Sequence, residues 1–250
     1  MPRQLRLLDD RLPTIFEADR DPLVVRESRR ARRLFLQLVP PHTLELVVPV
    51  GTRPKMVEAF VREHADWISR ARTQVETRYA GDRALLPASI TLPAVGKRVS
   101  VHYRRAVGGR ARSRVTGAGL ELHTLRKDHL DGRPLLRRWL LDEARTHLKP
   151  WLLREADRVG RSPRKVQVRL QRTRWGSCSS SGNISLNASA LFLSAPVVRY
   201  LMIHELCHLY SLNHSRRFWK LVEEFEPSWR ALDRQLANAW TEIPLWVAAG

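Results

Sequence analysis

Residues 204–214 read HELCHLYSLNH, and the reading of this stretch decides how the rest of the chain is understood. Residues four apart on a helix share one face, so His204 and His208 can turn two imidazoles toward one ion. Glu205 then flanks that ion, placed to take a proton from a water molecule. A third ligand on a following turn leaves one tetrahedral position open, the arrangement that catalytic zinc requires. The flanking residues fit such a helix. Ser194 can cap it, Pro196 suits its first turn, and Val197, Val198, Leu201, Met202, Ile203, Leu206, Cys207 and Leu209 surround the motif. A helix apolar on nearly every side is a core helix. Three ionisable residues inside it need partners, since burial without them is costly, and one zinc ion per chain satisfies all three.

His214 is the preferred third ligand over Glu223 and Glu224, whose simpler role is a solvated helix face. Asn213 can make a turn and Ser215 can cap a helix over Arg216–Phe225, which sets His214 just outside that helix and beside the end of the motif helix. The spacing HExxHxxxxxH is shared with metzincins, but Ser211 stands where they carry the turn glycine, so that label fails while the ligand spacing stands. Cys207 is rotated away from the histidines and reads as a small core residue.

Composition frames this centre. The 250 residues are 43% hydrophobic, enough for one large domain or two small ones. No stretch has the apolar length of a membrane span, and the first residues, MPRQLRLLDDRLP, lack the apolar run of a signal peptide. The two cysteines, Cys178 and Cys207, offer no disulfide framework, so a cytoplasmic location is expected. The net charge is +19, and only six of the 44 basic residues are lysine. Arginine's planar fork suits phosphate and carboxylate, which makes a nucleotide or nucleic acid a candidate partner beside a peptide or protein substrate. The charges are nonetheless spread along the chain, with one local cluster, RESRRARR, over Arg26–Arg33.

The first half reads as strands around one helix. Leu34–Val39 and Leu44–Val48 form a hairpin across Pro40–Thr43. Thr52 and Pro54 open a helix reaching about Tyr79, and short strands return from Ile90 to Leu125. KDHLDGRP then interrupts the pattern and marks a boundary, giving an N-terminal β-rich domain over residues 1–130 and a catalytic domain over 131–250. In the second, Leu135–Val159 is helical with a bend or break at Pro150, Val166–Leu170 is a strand, and Arg172–Asn187 forms two short strands about a Ser/Gly turn. The expected fold is α+β: a zincin-like domain whose HExxH helix packs on a small sheet, with an edge strand able to hold an extended substrate.

RTRWGSCSSSGNISLN followed by HELCHLYSLNHSRRFW resembles the YgjP-type metallopeptidase-like family, relatives of the SprT-like zincins. The early VVRESRRARRLFLQL, the LVVPVGT approach to a helix near DWI, and PRKVQVRLQRTRWGSC resemble it too. The resemblance implies a zincin catalytic half with His204, His208 and His214 as ligands and Glu205 as base. It also implies a cytoplasmic bacterial protein with a β-rich N-terminal part. Within RTRWGSC, Arg172 and Arg174 are expected on one face of a strand with Trp175 anchoring the other. Either arginine can serve an oxyanion, a phosphate or a structural carboxylate; Asn187 can orient a ligand or cap a strand end; Tyr210 is a further candidate transition-state donor. The function expected is a zinc-dependent hydrolase, foremost a metallopeptidase. A metal-dependent nucleotide phosphohydrolase or pyrophosphatase, and a nucleic-acid-associated protein with a structural zinc, are the alternatives.

Overall fold

The computed structural model describes residues 23–29, 31–39, 43–70, 73 and 86–248. The chain divides into two compact units, Met1–Arg83 and Ala84–Gly250. In the first, strand β2 (Phe35–Val39) runs antiparallel to β3 (Thr43–Pro49), and β1 (Leu23–Ser28) pairs with β3 in parallel on its other side. The hairpin expected there forms, although its tip at Pro40–His42 lies outside the described residues. β1 draws in part of the basic cluster: Arg26 donates to the Glu45 carboxylate at 2.7 Å across the β1–β3 pair. Helix α1 (Pro54–Glu63) starts with proline in its first turn and turns Val57 and Val61 into a small core with Leu46, Val48 and Ile68. Helical backbone resumes over 65–70, and the expected extension to Tyr79 lies outside the described residues.

The second unit begins earlier than residue 131. Strands β4 (Ser89–Leu92), β5 (Lys97–Arg105), β6 (Arg112–Thr116) and β7 (Gly119–Thr124) form one sheet in the order β4-β5-β7-β6. Its inner face carries Ile90, Leu92, Val99, Val101, Leu120 and Leu122, and these share one hydrophobic core with Leu136, Leu140 and Leu148 of helix α2 (Arg133–Val159). A sheet and helix that bury the same apolar surface cannot be separated into two domains. KDHLDGRP is accordingly a tight corner rather than a linker. The Asp131 carboxylate accepts from the Leu125 and Arg126 amides, and His129 takes the left-handed conformation with φ 56.

Pro150 does not split α2. The helix runs unbroken for 27 residues with Pro150 on its exposed side, while the buried stripe from Leu136 through Ala144, Leu148 and Leu152 to Val159 continues past it. Burial on both sides of the proline outweighs the one lost backbone hydrogen bond.

A third sheet, in the order β8-β10-β9, joins β8 (Lys165–Arg169) in parallel and β9 (Gly176–Cys178) in antiparallel register to β10 (Asn183–Asn187). Helix α3 (Ala195–Cys207) then packs against α2 and β9, with α4 (Arg216–Phe225) and α5 (Trp229–Asn238) on its remaining sides. One ion network ties these helices: Arg199 of α3 lies 3.4 Å from Glu155 of α2 and pairs with Glu226 beyond α4. Ile243 and Trp246 join the main core as well.

Candidate metal centre

α3 carries the motif on a helix buried all round, as its composition requires. Tyr200, Ile203, Leu206 and Cys207 are fully buried, and Glu205 is only 5% exposed. His208 caps the helix end, and its Nδ1 lies 3.0 Å from the Ser211 carbonyl. The chain turns there without the left-handed glycine of metzincins, because among the described residues the only non-glycine with positive φ is His129. Ser215 accepts from the Phe218 amide and starts α4, which leaves His214 just ahead of that helix. Phe218, completely buried, lies against all three imidazoles, with ring centroids 5.1, 4.5 and 4.9 Å from His204, His208 and His214.

The three histidines converge. Each offers one ligand atom, and these atoms lie within 4.8 Å of one another. Nε2 of His204 and Nε2 of His214 are 3.1 Å apart. Two nitrogens bound about 2.0–2.1 Å from a tetrahedral zinc stand roughly 3.3 Å from each other, so the spacing suits a shared ion. Burial, followed by the neighbouring charges of His208 and His214, lowers His204 to about 3; burial, above all, also lowers His208. Both rings are therefore neutral at ordinary pH and keep a lone pair for a metal. Glu223 is not part of this group, being held by Arg230 at 2.7 Å.

The tautomers follow from the outer nitrogens. Tyr200 donates its hydroxyl to Asp233 of α5 at 2.7 Å, and its oxygen lies 3.3 Å from His204 Nδ1. With the Tyr200 proton committed to Asp233, Nδ1–H of His204 donates to the phenol oxygen and Nε2 is left bare. The Ser211 carbonyl does the same for His208. Partners of this kind orient a ligand ring and raise its basicity, and losing one typically weakens metal binding by about 10–100-fold. Tyr200→Phe and Asp233→Asn are therefore each expected to weaken zinc binding by about 10–100-fold in a chelator competition titration. Unchanged affinity in both would remove the relay from the account.

Glu205 faces the third sheet. Its Oε2 is buried and has no hydrogen-bond partner among the described residues. Burial pushes its pKa up to about 8, with the Arg174 charge pulling the other way. Gly176 at the start of β9 makes the approach possible, since a Cβ at that position would stand 2.5 Å from Glu205 Oε1.

The expected strand alternation of Arg172, Arg174 and Trp175 does not form. Residues 172–175 are a bend, because β9 begins only at Gly176, and both arginines are exposed. Trp175 is buried and stacks on Trp240 with centroids 4.1 Å apart. Asn187 is fully buried and shapes this bend: its amide donates to the Gln171 and Arg174 carbonyls at 2.8 and 2.9 Å, and its carbonyl accepts from Ser189. It acts on the backbone beside the site rather than on a ligand. Tyr210 is turned to the end of α2, where its hydroxyl donates to the Val159 carbonyl at 2.9 Å, under the Arg161 guanidinium. That hydroxyl is committed away from an oxyanion role.

Tyr200, Asp233 and Phe218 were not among the residues singled out from the sequence. Tyr200 sits four residues before His204, on the same helix face, and that spacing is the one signal that points to it. Asp233 comes from a separate helix and has no local signature.

The second unit is α+β, and its buried helix brings two neutral histidines and a carboxylate to one point with a third histidine, His214. The chain belongs to the YgjP-like family: the family model described as "YgjP-like, metallopeptidase domain" matches residues 32–239. Among solved structures, the metallopeptidase zymogen of Pyrococcus abyssi abylysin is similar, with 26% sequence identity over 36% of this chain and 92% of that one, at a TM-score of 0.34. No curated protein matches. Among the described residues, no helix is long and apolar enough to cross a membrane.

Proposed function

We propose that this chain is a cytoplasmic zinc metallopeptidase of zincin type, in which His204, His208 and His214 hold one zinc ion and Glu205 is the general base. The observation that carries this reading is the meeting of three imidazole nitrogens beside a buried carboxylate whose Oε2 has no partner among the described residues. An all-imidazole donor set favours zinc over the oxygen-seeking Mg²⁺ or Mn²⁺ that a nucleotide phosphohydrolase would use. A zinc ion held there supplies Lewis acidity, lowering the pKa of water and polarising a substrate carbonyl.

The chain's own residues do the rest. Glu205 takes the proton of the attacking water at its free oxygen and returns it to the leaving amine nitrogen. With Tyr210 engaged elsewhere, Arg174 is the remaining candidate to meet the developing oxyanion, since its charge already acts on Glu205. β9 is an outer strand of its sheet and runs beside Glu205, so its unpaired backbone groups can bind an extended peptide by adding a strand. Asn187 positions the bend that leads into that strand.

Metal analysis and hydrolysis of an unfolded protein mixture, with a nucleotide panel in parallel, test the reading. About one zinc per chain and peptide-bond cleavage are expected. Phosphate or pyrophosphate release with the proteins left intact would transfer the function to nucleotides, and DNA binding by a zinc-loaded chain that cleaves neither would make the zinc structural. His204→Ala is expected to bring zinc content close to zero in the purified protein; undiminished zinc would refute the ligand assignment.

A further inference from the structure

The four-stranded sheet buries one face and leaves the other to solvent, and the composition of that outer face is one-sided. Residues paired across strands point to the same side of a sheet, and alternate residues along a strand point to opposite sides. On β5 the inward positions are Val99 and Val101, so Arg98, His102 and Arg104 point outward. The register then sets Arg104 beside His123 and His123 beside Arg112 in one row across β5, β7 and β6. The next row sets His102 beside Glu121 and Glu121 beside Arg114. Four arginines and two histidines thus share the surface with one carboxylate, Glu121, which lies 3.7 Å from His123.

The four arginines are exposed, and among the described residues their guanidinium groups have no hydrogen bond or ion pair. Elsewhere in the same unit Arg126, Arg199 and Arg230 are each paired with a carboxylate, whereas Arg138 and Arg154 are exposed and, among the described residues, without an ion pair, as these four are. Arg104 and Arg112 stand two strands apart, about 10 Å, and Arg114 lies two residues along β6 from Arg112, so three guanidinium groups gather around a single carboxylate and favour an anion over this part of the face. An array of this kind has no part in the metal centre, whose residues lie on α3, α4 and the third sheet.

We propose that the outer face of this sheet is a docking surface for duplex DNA, gripped through its phosphates. Charge complementarity identifies the anion: a double helix presents one negative charge per about 1.7 Å of its axis, which an extended array of guanidinium groups can match. The outward positions carry no Phe, Tyr or Trp on which splayed bases could stack, which excludes the usual way of holding single strands. They carry no Asn or Gln to read adenine edges, and the arginines are assigned to phosphates. This surface stands apart from the peptidase reading and can fail without it.

The test compares three full-length proteins for binding to a random 30-base-pair DNA duplex across a salt series. One is unaltered, one carries R98Q/R104Q/R112Q/R114Q, and one carries R138Q/K149Q/R154Q/K165Q. The last set removes the same number of exposed charges from α2 and β8, so it holds net charge constant between the two variants. Zinc content and melting temperature show that both variants fold. The sheet variant is expected to lose at least about tenfold in affinity and to flatten the slope of log K against log salt by about 3–4, near 0.9 per lost phosphate contact. The control variant is expected to keep most of the affinity and slope. Equal losses in the two variants would reduce the effect to net charge and overturn the proposal. No binding by the unaltered protein, or tighter binding of a single strand or an RNA duplex of the same sequence, would overturn it too.

Discussion

Glu205→Gln is expected to lower kcat for peptide hydrolysis by roughly 10²–10⁴-fold while the protein keeps its zinc. The size follows from the chemistry of the position. Glutamine is nearly the same shape as glutamate and can occupy the same buried site, but it cannot accept a proton. The ligands are on other residues, so metal content stays as it was. The fold should hold as well, because glutamine removes the need to desolvate a carboxylate that is 5% exposed and lacks a partner on Oε2 among the described residues. Zinc analysis, a thermal melt and a turnover assay on one preparation check all three parts. Metal-loaded Glu205→Gln protein with normal turnover would sink the general-base assignment.

Gly176→Ala is expected to lower kcat on the order of 100-fold, again with zinc retained, although residue 176 is not placed to touch the metal. The added methyl would stand 2.5 Å from Oε1, 2.8 Å from Cγ and 2.9 Å from Cδ of Glu205. Real contacts are not that short, so the carboxylate must move, and a displacement of about 1 Å at a reacting group can cost that much in rate. The backbone raises no objection, since Gly176 is not among the glycines with positive φ. The clash is with the end of a side chain that can swing, so stability should change by only about 1–3 kcal/mol. A large loss of kcat with a small shift in Tm therefore separates a displaced base from a damaged fold. Full activity in Gly176→Ala would mean that the close approach of β9 has no role in the reaction.

The elements legible in the chain are those whose signal is local. The buried helix around HELCH, the Ser215 cap, the hairpin of β2 and β3, and the pair of strands within 172–187 all rest on spacing within a dozen residues. Where the reading failed, a longer-range competitor won. KDHLDGRP has the composition of a linker, yet its aspartates fold it into a corner because the strands before it and the helix after it share one core. Pro150 should interrupt a helix, yet the apolar stripe continues through it. Arg172, Arg174 and Trp175 alternate like a strand, but Asn187 and the stack on Trp240 hold them in a bend. Tyr210 looked available beside the motif, and the end of α2 took its hydroxyl.

By itself, the sequence determined the helix, the face shared by His204 and His208, the placing of Glu205 next to them, and the short connection that lets His214 return. These follow from the 3.6-residue period and from turn chemistry, which act between neighbours in the chain. Only the tertiary structure decided which proton sits on His204, through Tyr200 and Asp233; how closely β9 may approach Glu205, through Gly176; and which arginines stand together, through the register of a sheet. Those distances lie between segments tens of residues apart, and they are set by how buried surfaces fit together, which no local pattern records.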